Sequence, residues 1–148
     1  MYDVVFPCNN EKEFMSMAIK LGYGGLCFIY DSADELIKNK EKFRDSKLKL
    51  LFGLKFKSKE KVDVVAVKAP NNSREVLERG KADIIYDFEK SSRADYIHHR
   101  ASGLNQVLCK LAKKNNVAVG FSVSSILNFS KRPMLMGRIK QNVKLILK

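Results

Sequence analysis

The 148-residue sequence has no tryptophan, only two histidines and only three cysteines. The histidines, His98 and His99, are adjacent, so on either a helix or a strand they point different ways and cannot easily chelate one ion together. A zinc or manganese hydrolase centre recruits several His and Asp ligands from different strand ends, and this chain has too few histidines for a rich polynuclear site. The pair reads instead as surface-loop residues beside Arg100, placed for phosphate or base contact. Cysteines 8, 27 and 109 are odd in number and lack any C-x-x-C spacing, and two of them sit inside apolar stretches. Buried reduced thiols are expected, rather than metal or redox chemistry. No apolar run approaches the roughly 18 residues of a membrane span. The start Met1-Tyr2-Asp3-Val4-Val5-Phe6-Pro7 shows no basic leader and no small-residue cleavage site, so a soluble cytoplasmic protein is expected. A G-x-S-x-G elbow, a Walker loop and a dinucleotide fingerprint are all missing. Gly22-Tyr23-Gly24-Gly25 follows a helix and enters a strand, the reverse of a phosphate cradle, and reads as a helix-ending turn.

Acidic residues are scarce in a particular place. The formal net charge is +12, from 28 Lys/Arg against 16 Asp/Glu. Residues 1–50 carry eight of each sign, so the whole excess lies in residues 51–148, and after Asp95 there are ten Lys/Arg and no acid. An ordinary solvated surface mixes both signs. A long acid-free stretch inside a folding domain points to a polyanionic partner, nucleic acid first and an anionic membrane surface second.

What is present is a globular composition, 45% apolar and 30% charged, far from that of disordered chains. A chain of this length fits a single domain, residues 1–148, that buries about 68–70% of its unfolded surface. Short apolar runs alternate with stretches of helical period, the pattern of βα units. Strands are expected at Tyr2–Phe6, Gly25–Tyr30, Leu48–Phe56, Val62–Lys68, Ile84–Phe88 and Val117–Val123. Several are apolar on consecutive residues, as in Leu26-Cys27-Phe28-Ile29, which fits a parallel sheet covered on both faces. Asn10 with Glu13, Ser32 with Glu35 and Asn72 with Glu75 each place an N-cap acceptor three residues before a carboxylate, and so predict three helix starts. The first helix is expected to bury Phe14, Met17, Ala18 and Leu21, and the helix after Gly103 to bury Leu104, Val107, Leu108 and Leu111. Gly22 and Gly80 stand where helices should end. Lys57-Ser58-Lys59-Glu60-Lys61 is too short for a crossover helix, so the third and fourth strands are either joined by a bare loop or are not neighbours.

The segment from Ser91 to Asn105 concentrates Arg93, Tyr96, His98, His99, Arg100 and Asn105 between the fifth strand and a helix. Arginine forks onto phosphate oxygens, tyrosine stacks on an unpaired base, and a helix N-terminus favours anions. Lys110, Lys113 and Lys114 lie on the following helix. Lys140, Lys144 and Lys148 recur every four residues on the last helix, offset from its Leu135, Ile139, Val143 and Ile146 face. The RNA-binding set expected from these features is Arg93, His98, His99, Arg100, Asn105, Lys110, Lys113, Lys114, Lys140 and Lys144, with Asn105 either capping the helix or ordering the loop. No catalytic residue and no metal ligand is expected. Asp3, Asp31, Asp83 and Asp87 lie at or near strand ends, where carboxylates of a barrel mouth can hold magnesium, but they have no diagnostic spacing.

Arg100-Ala101-Ser102-Gly103-Leu104-Asn105-Gln106-Val107-Leu108, followed by Lys110-Leu111-Ala112-Lys113-Lys114-Asn115-Asn116-Val117-Ala118-Val119-Gly120-Phe121-Ser122, is similar to the most recognisable stretch of the archaeal ribonuclease P protein component 3 family. Tyr2-Asp3-Val4 and Arg138-Ile139-Lys140-Gln141-Asn142 resemble the same family. The resemblance implies an α/β, TIM-barrel-like fold of βα repeats around a parallel sheet. It is related to metal-dependent phosphoesterases of the polymerase-and-histidinol-phosphatase type but lacks their ligands. It also implies a non-catalytic, RNA-binding role in ribonuclease P. There the magnesium-dependent cut that removes the 5′ leader of precursor tRNA belongs to the catalytic RNA, and the protein itself binds no cofactor. Implied partners are the ribonuclease P RNA, protein component 2 in a heterotetramer, the other ribonuclease P proteins, and precursor tRNA through the complex, with no membrane. Family members continue past the helix ending near Lys148 into a further strand and a basic segment, so the barrel is expected to be incomplete at the C-terminus. The alternatives from other classes are a metal-dependent phosphoesterase of the same barrel type, acting through Asp3 or Asp87, and a pure assembly scaffold.

Overall fold

The computed structural model describes residues 1–56, 61–69 and 73–147. Strand and helix alternate as the apolar runs require: β1 (Tyr2–Val5), α1 (Glu11–Lys20), β2 (Gly25–Tyr30), α2 (Ala33–Lys42), β3 (Lys49–Leu54), β4 (Val64–Lys68), α3 (Ser73–Glu78), β5 (Ile84–Tyr86), a single 3-10 turn at Phe88–Lys90, α4 (Gln106–Lys114), β6 (Ala118–Gly120), α5 (Val123–Asn128) and α6 (Arg132–Ile146). The backbone gathers into two compact units, Met1–Ala66 and Val67–Lys148.

In the first unit β1, β2 and β3 pair in parallel, with Val4 opposite Cys27 and Phe28 opposite Phe52. All six residues of β2 are buried, as a strand covered on both faces demands. The start of β4 pairs in parallel with β3 at Gly53–Val64 and Leu54–Val65. The third and fourth strands are therefore neighbours, although the connecting residues 57–60 lie outside the described residues. Val5, Leu26, Phe28, Tyr30, Leu36, Phe52 and Leu54 form the core of this unit.

Burial of α1 keeps the expected spacing but moves it by three residues. Glu11 and Ala18 are buried and Phe14 and Met15 pack on the core, whereas Met17 and Leu21 are exposed. The Tyr30 hydroxyl donates to the Glu11 carboxylate at 3.4 Å, and this buried polar contact turns the Glu11 line inward. Asn10 precedes the helix without a side-chain cap, because its side-chain oxygen accepts the Cys8 amide at 2.8 Å. Ser32 does cap α2, accepting from the Asp34 amide at 3.2 Å. Asn72 lies outside the described residues. Cys27 is buried, Cys109 half-buried and Cys8 exposed. Burial, aided by the charge of Asp63, pushes the Cys27 thiol up to about 12.

In the second unit the Ala69 amide donates to the Tyr86 carbonyl at 2.7 Å, and β5 pairs in parallel with β6 from Ile84–Ala118 to Tyr86–Gly120. Leu77, Ile85, Phe88, Leu104, Leu108, Ala112 and Val117 make its core. Val107 is exposed: Leu108, Leu111 and Ala112 of α4 pack inward beside Leu104, which precedes the helix, and Val107 falls on the rim of that face. Gly22 and Gly80 follow α1 and α3 with positive φ, as expected.

Strand order follows the chain from β1 to β6 without reversal, and the paired registers are parallel. A doubly wound sheet would reverse at a switch point. The fold class is thus α/β with the strand progression of a TIM barrel. Six strands stand among the described residues, where a closed barrel of this type has eight.

A candidate nucleic-acid interface

After β5 the chain must leave the sheet and return to start α4. It does so through a connection with little apolar content of its own. Asp87 turns the chain with a left-handed φ of 65°, and the 3-10 turn follows. What orders the rest is a buried cation. Arg138, on α6, is 3% exposed. Its guanidinium donates to the carbonyls of Glu89 at 3.0 Å, Ser91 at 2.8 Å and Arg93 at 2.6 Å, and to the Asp95 carboxylate at 2.8 Å. Asp95 also accepts the Ala101 amide at 2.8 Å. Two further side chains of α6 hold the returning strand of the connection. Gln141 donates to the Arg100 carbonyl at 3.3 Å, and Asn142 to the Ser102 carbonyl at 2.9 Å. Planar guanidinium and amide donors suit this task, because each carbonyl left buried without a donor would cost about 1–3 kcal/mol.

The end of the connection is fixed by backbone sterics. Gly103 has φ 79°, and a Cβ there would collide with the Phe88 carbonyl. Asn105 then caps α4, its side chain accepting the Leu108 amide at 2.9 Å. Of the two roles expected for Asn105, capping is the one its side chain performs.

Two carboxyls respond in opposite directions. Partial burial raises the Asp95 carboxyl, but the hydrogen bonds from Arg138 and Ala101 and the charges of Arg138 and Arg100 outweigh it, leaving the group below its ordinary value. Glu89 is fully buried, and neither of its carboxylate oxygens has a partner among the described residues. Burial, reinforced by the charge of Asp87, holds its carboxyl above the ordinary range against the smaller opposing effects of its own backbone amide and Lys90.

The other residues expected to contact RNA fall into three places. Arg100, Lys140 and Lys144 come together: with Gly137 and Gln141 they line a shallow, open groove of about 310 Å³ on α6. A Cβ on Gly137 would run into the Arg100 guanidinium, so Arg100 lies against bare helix backbone. Arg93, His98 and His99 are exposed on the pinned connection, the two histidines in a short hairpin closed by Tyr96 and His99, whose amides and carbonyls bond each other at 2.8 and 3.3 Å. Lys110, Lys113 and Lys114 are exposed on α4, and no bond ties them to the groove. Among the described residues no carboxylate forms an ion pair with Arg93, Arg100, Lys110, Lys113, Lys114, Lys140 or Lys144. Lys148 lies outside the described residues.

Hydrophobic periodicity does not single out Arg138, Gln141 and Asn142 as organisers of the site. The last helix was expected to bury Leu135, Ile139, Val143 and Ile146, yet Leu135, Arg138 and Asn142 are its buried residues and Val143 and Ile146 are exposed. The signal was the Arg138–Asn142 pair four residues apart, one helical turn from Leu135 on the same side. Among the described residues no group of three or more His, Cys, Asp or Glu is arranged to hold a metal ion. Asp31 pairs with Lys55 at 2.8 Å and Asp87 with Lys90 at 3.3 Å. No described helix is long and apolar enough to cross a membrane.

No protein-family model matches the chain. The sequence is 32% identical over 133 residues to ribonuclease P protein component 3 of Methanococcoides burtonii, a match that takes in 80% of this chain and 52% of that protein. It is 31% identical over 157 aligned positions to the protein of the same name from Methanosarcina mazei, covering 93% of this chain and 61% of that one. The chain thus spans between half and two thirds of the length of these relatives.

Proposed function

The chain is a relative of archaeal ribonuclease P protein component 3, and from that kinship we propose that it is an RNA-binding, non-catalytic protein subunit of ribonuclease P. In this reading it helps the catalytic RNA remove the 5′ leader from precursor tRNA in the cytoplasm. The observation that carries the reading is the groove on α6, where Arg100, Lys140 and Lys144 converge with no acidic residue among its lining. Three cations facing one open depression repel each other unless an anion enters it. A phosphate backbone supplies a row of them and releases its condensed counterions on binding. Contacts of this kind hold and orient RNA without reading its sequence. The protein contributes charge neutralisation, which lets the catalytic RNA fold and hold its own Mg²⁺ at lower ionic strength. It needs no resident metal to do so. Protein component 2 is its proposed direct partner, in a heterotetramer, alongside the other ribonuclease P proteins.

The test is precursor-tRNA cleavage by the ribonuclease P RNA at limiting magnesium, with component 2 alone, this chain alone, both together, and both without RNA. Activation only in the mixture of both proteins with RNA is expected. Cleavage in the RNA-free control would place the chemistry in protein and overturn the reading. Replacing Arg100 and Lys110 with alanine should weaken RNA binding while leaving the thermal midpoint nearly unchanged, because both side chains are exposed and unpaired with any described carboxylate.

A further inference from the structure

Among the described residues, no side chain of α6 bonds to the hairpin Tyr96–His99 of the β5–α4 connection. On either side of it the chain is tied to α6, by Arg138 at the carbonyls of Glu89, Ser91 and Arg93 and the carboxylate of Asp95, and by Gln141 and Asn142 at the carbonyls of Arg100 and Ser102. The hairpin itself closes with two backbone bonds, and its side chains project outward: Tyr96 is 74% exposed and Ile97 96%. An aromatic ring and, on the next residue, a branched aliphatic chain are therefore presented to solvent on a braced tip. A single exposed apolar residue is ordinary. The brace makes this tip different, because the backbone on both sides of it is held before anything binds.

The surroundings identify what the tip fits. Arg93, His98, His99 and Arg100 flank it, and the one acid between Ser91 and Asn105, Asp95, is spent on Arg138. A collar of arginines and imidazoles around an apolar, aromatic tip is the chemistry of single-stranded nucleic acid. The phosphates meet the collar and an unstacked base lies on the ring.

We infer that Tyr96, supported by Ile97, is a base-stacking finger that recognises an unpaired nucleotide of RNA next to the phosphates held by Arg100 and the α6 groove. The inference rests on the RNA-binding reading above and narrows its ligand to RNA with an unpaired base. The groove supplies affinity for any RNA backbone; the finger supplies the preference for unpaired over fully paired RNA. Because the ring and not the hydroxyl does the stacking, phenylalanine should replace it.

The full chain is titrated at fixed salt with two RNAs of equal length, a fully paired duplex and the same duplex carrying a bulge of unpaired adenines with 2-aminopurine at one bulge position. The wild type is expected to favour the bulged RNA by roughly fivefold or more, with quenched 2-aminopurine fluorescence. Tyr96→Ala should abolish both the preference and the quenching while keeping the thermal midpoint and the salt dependence of duplex binding. Tyr96→Phe should retain both. Arg100→Ala should lower affinity for the two RNAs alike and keep the preference. Equal binding of both RNAs by the wild type, or an undiminished preference in Tyr96→Ala, overturns the finger and leaves RNA binding standing. If Tyr96→Ala spares RNA binding but lowers activation in the mixture with component 2, the tip is a protein contact and the inference falls. Failure of the wild type to bind either RNA removes the RNA-binding reading and the finger with it.

Discussion

Arg138 satisfies three backbone carbonyls and one carboxylate at once, so deleting it strands the buried Glu89 carbonyl, frees the part-buried carbonyls of Ser91 and Arg93, and leaves Asp95 without its cation. Arg138→Ala should cost about 3–5 kcal/mol, as the loss of one partner of a buried ion pair does. Arg138→Lys keeps the charge facing Asp95 but cannot reach all the carbonyls with one ammonium. Hydrogen exchange should show the Tyr96 and Ala101 amides losing protection in both variants, with RNA affinity falling in parallel; unchanged protection in Arg138→Lys would mean that charge alone suffices. Glu89 acts with the opposite sign. Its folded carboxyl is held above its ordinary 4.5 by burial, so its contribution to stability is complete at low pH and is lost as pH rises through the raised value. Glu89→Gln should therefore raise the thermal midpoint at pH 7–8 by at least about 2 °C. The gain should shrink toward pH 4, and an equal gain at every pH would assign it to packing instead.

At the scale of elements, α4 and α6 carry the same kind of charge for different reasons. Lys113 and Lys114 stand in the last turn of α4, where cations offset the helix macrodipole by about 0.3–1 kcal/mol each. Lys140 and Lys144 sit on the groove face of α6, Lys140 mid-helix, where no such local reward exists. Replacing Lys140 with alanine should thus weaken RNA binding with little change in denaturant midpoint, whereas replacing Lys113 and Lys114 should lower the midpoint and change RNA affinity less; Lys144, in the last turn of α6, combines both roles. The reverse pattern would move the interface from α6 to α4. The burial pattern of α6 also explains why one helix serves both purposes. Leu135, Arg138 and Asn142 face inward and hold the connection, and Gly137, Lys140, Gln141 and Lys144 occupy the next face round.

For the whole molecule the governing quantity is where the +12 charge lies. Residues 1–50 are balanced and the remainder carries the excess, so binding should respond to salt through the second unit. With Arg100, Lys110, Lys140 and Lys144 each on a phosphate, log K against log salt should slope by roughly −3 for single-stranded RNA. The slope should lose about 0.7 for each of these residues changed to alanine. A flat titration would identify a scaffold whose basic surface meets protein.

Composition and periodicity alone determined the succession of strands and helices, the parallel α/β class, and the concentration of positive charge after Asp95. Those properties follow from short-range causes: side-chain alternation, capping chemistry at Ser32 and Asn105, and a count of charges. The stretch from Arg100 to Ser122 also carried the family resemblance that the two relatives bear out. What only tertiary structure decided was which of two similar helical faces turned inward and which cations stayed outside. In α1 the buried Tyr30–Glu11 contact moved the face by one turn. In α6 the carbonyls of a connection some forty to fifty residues earlier in the chain drew Arg138 and Asn142 inside. Charge patterning ranks every arginine alike. Only the need to pair buried backbone carbonyls separates the arginine that builds the site, Arg138, from the one left exposed in it, Arg100.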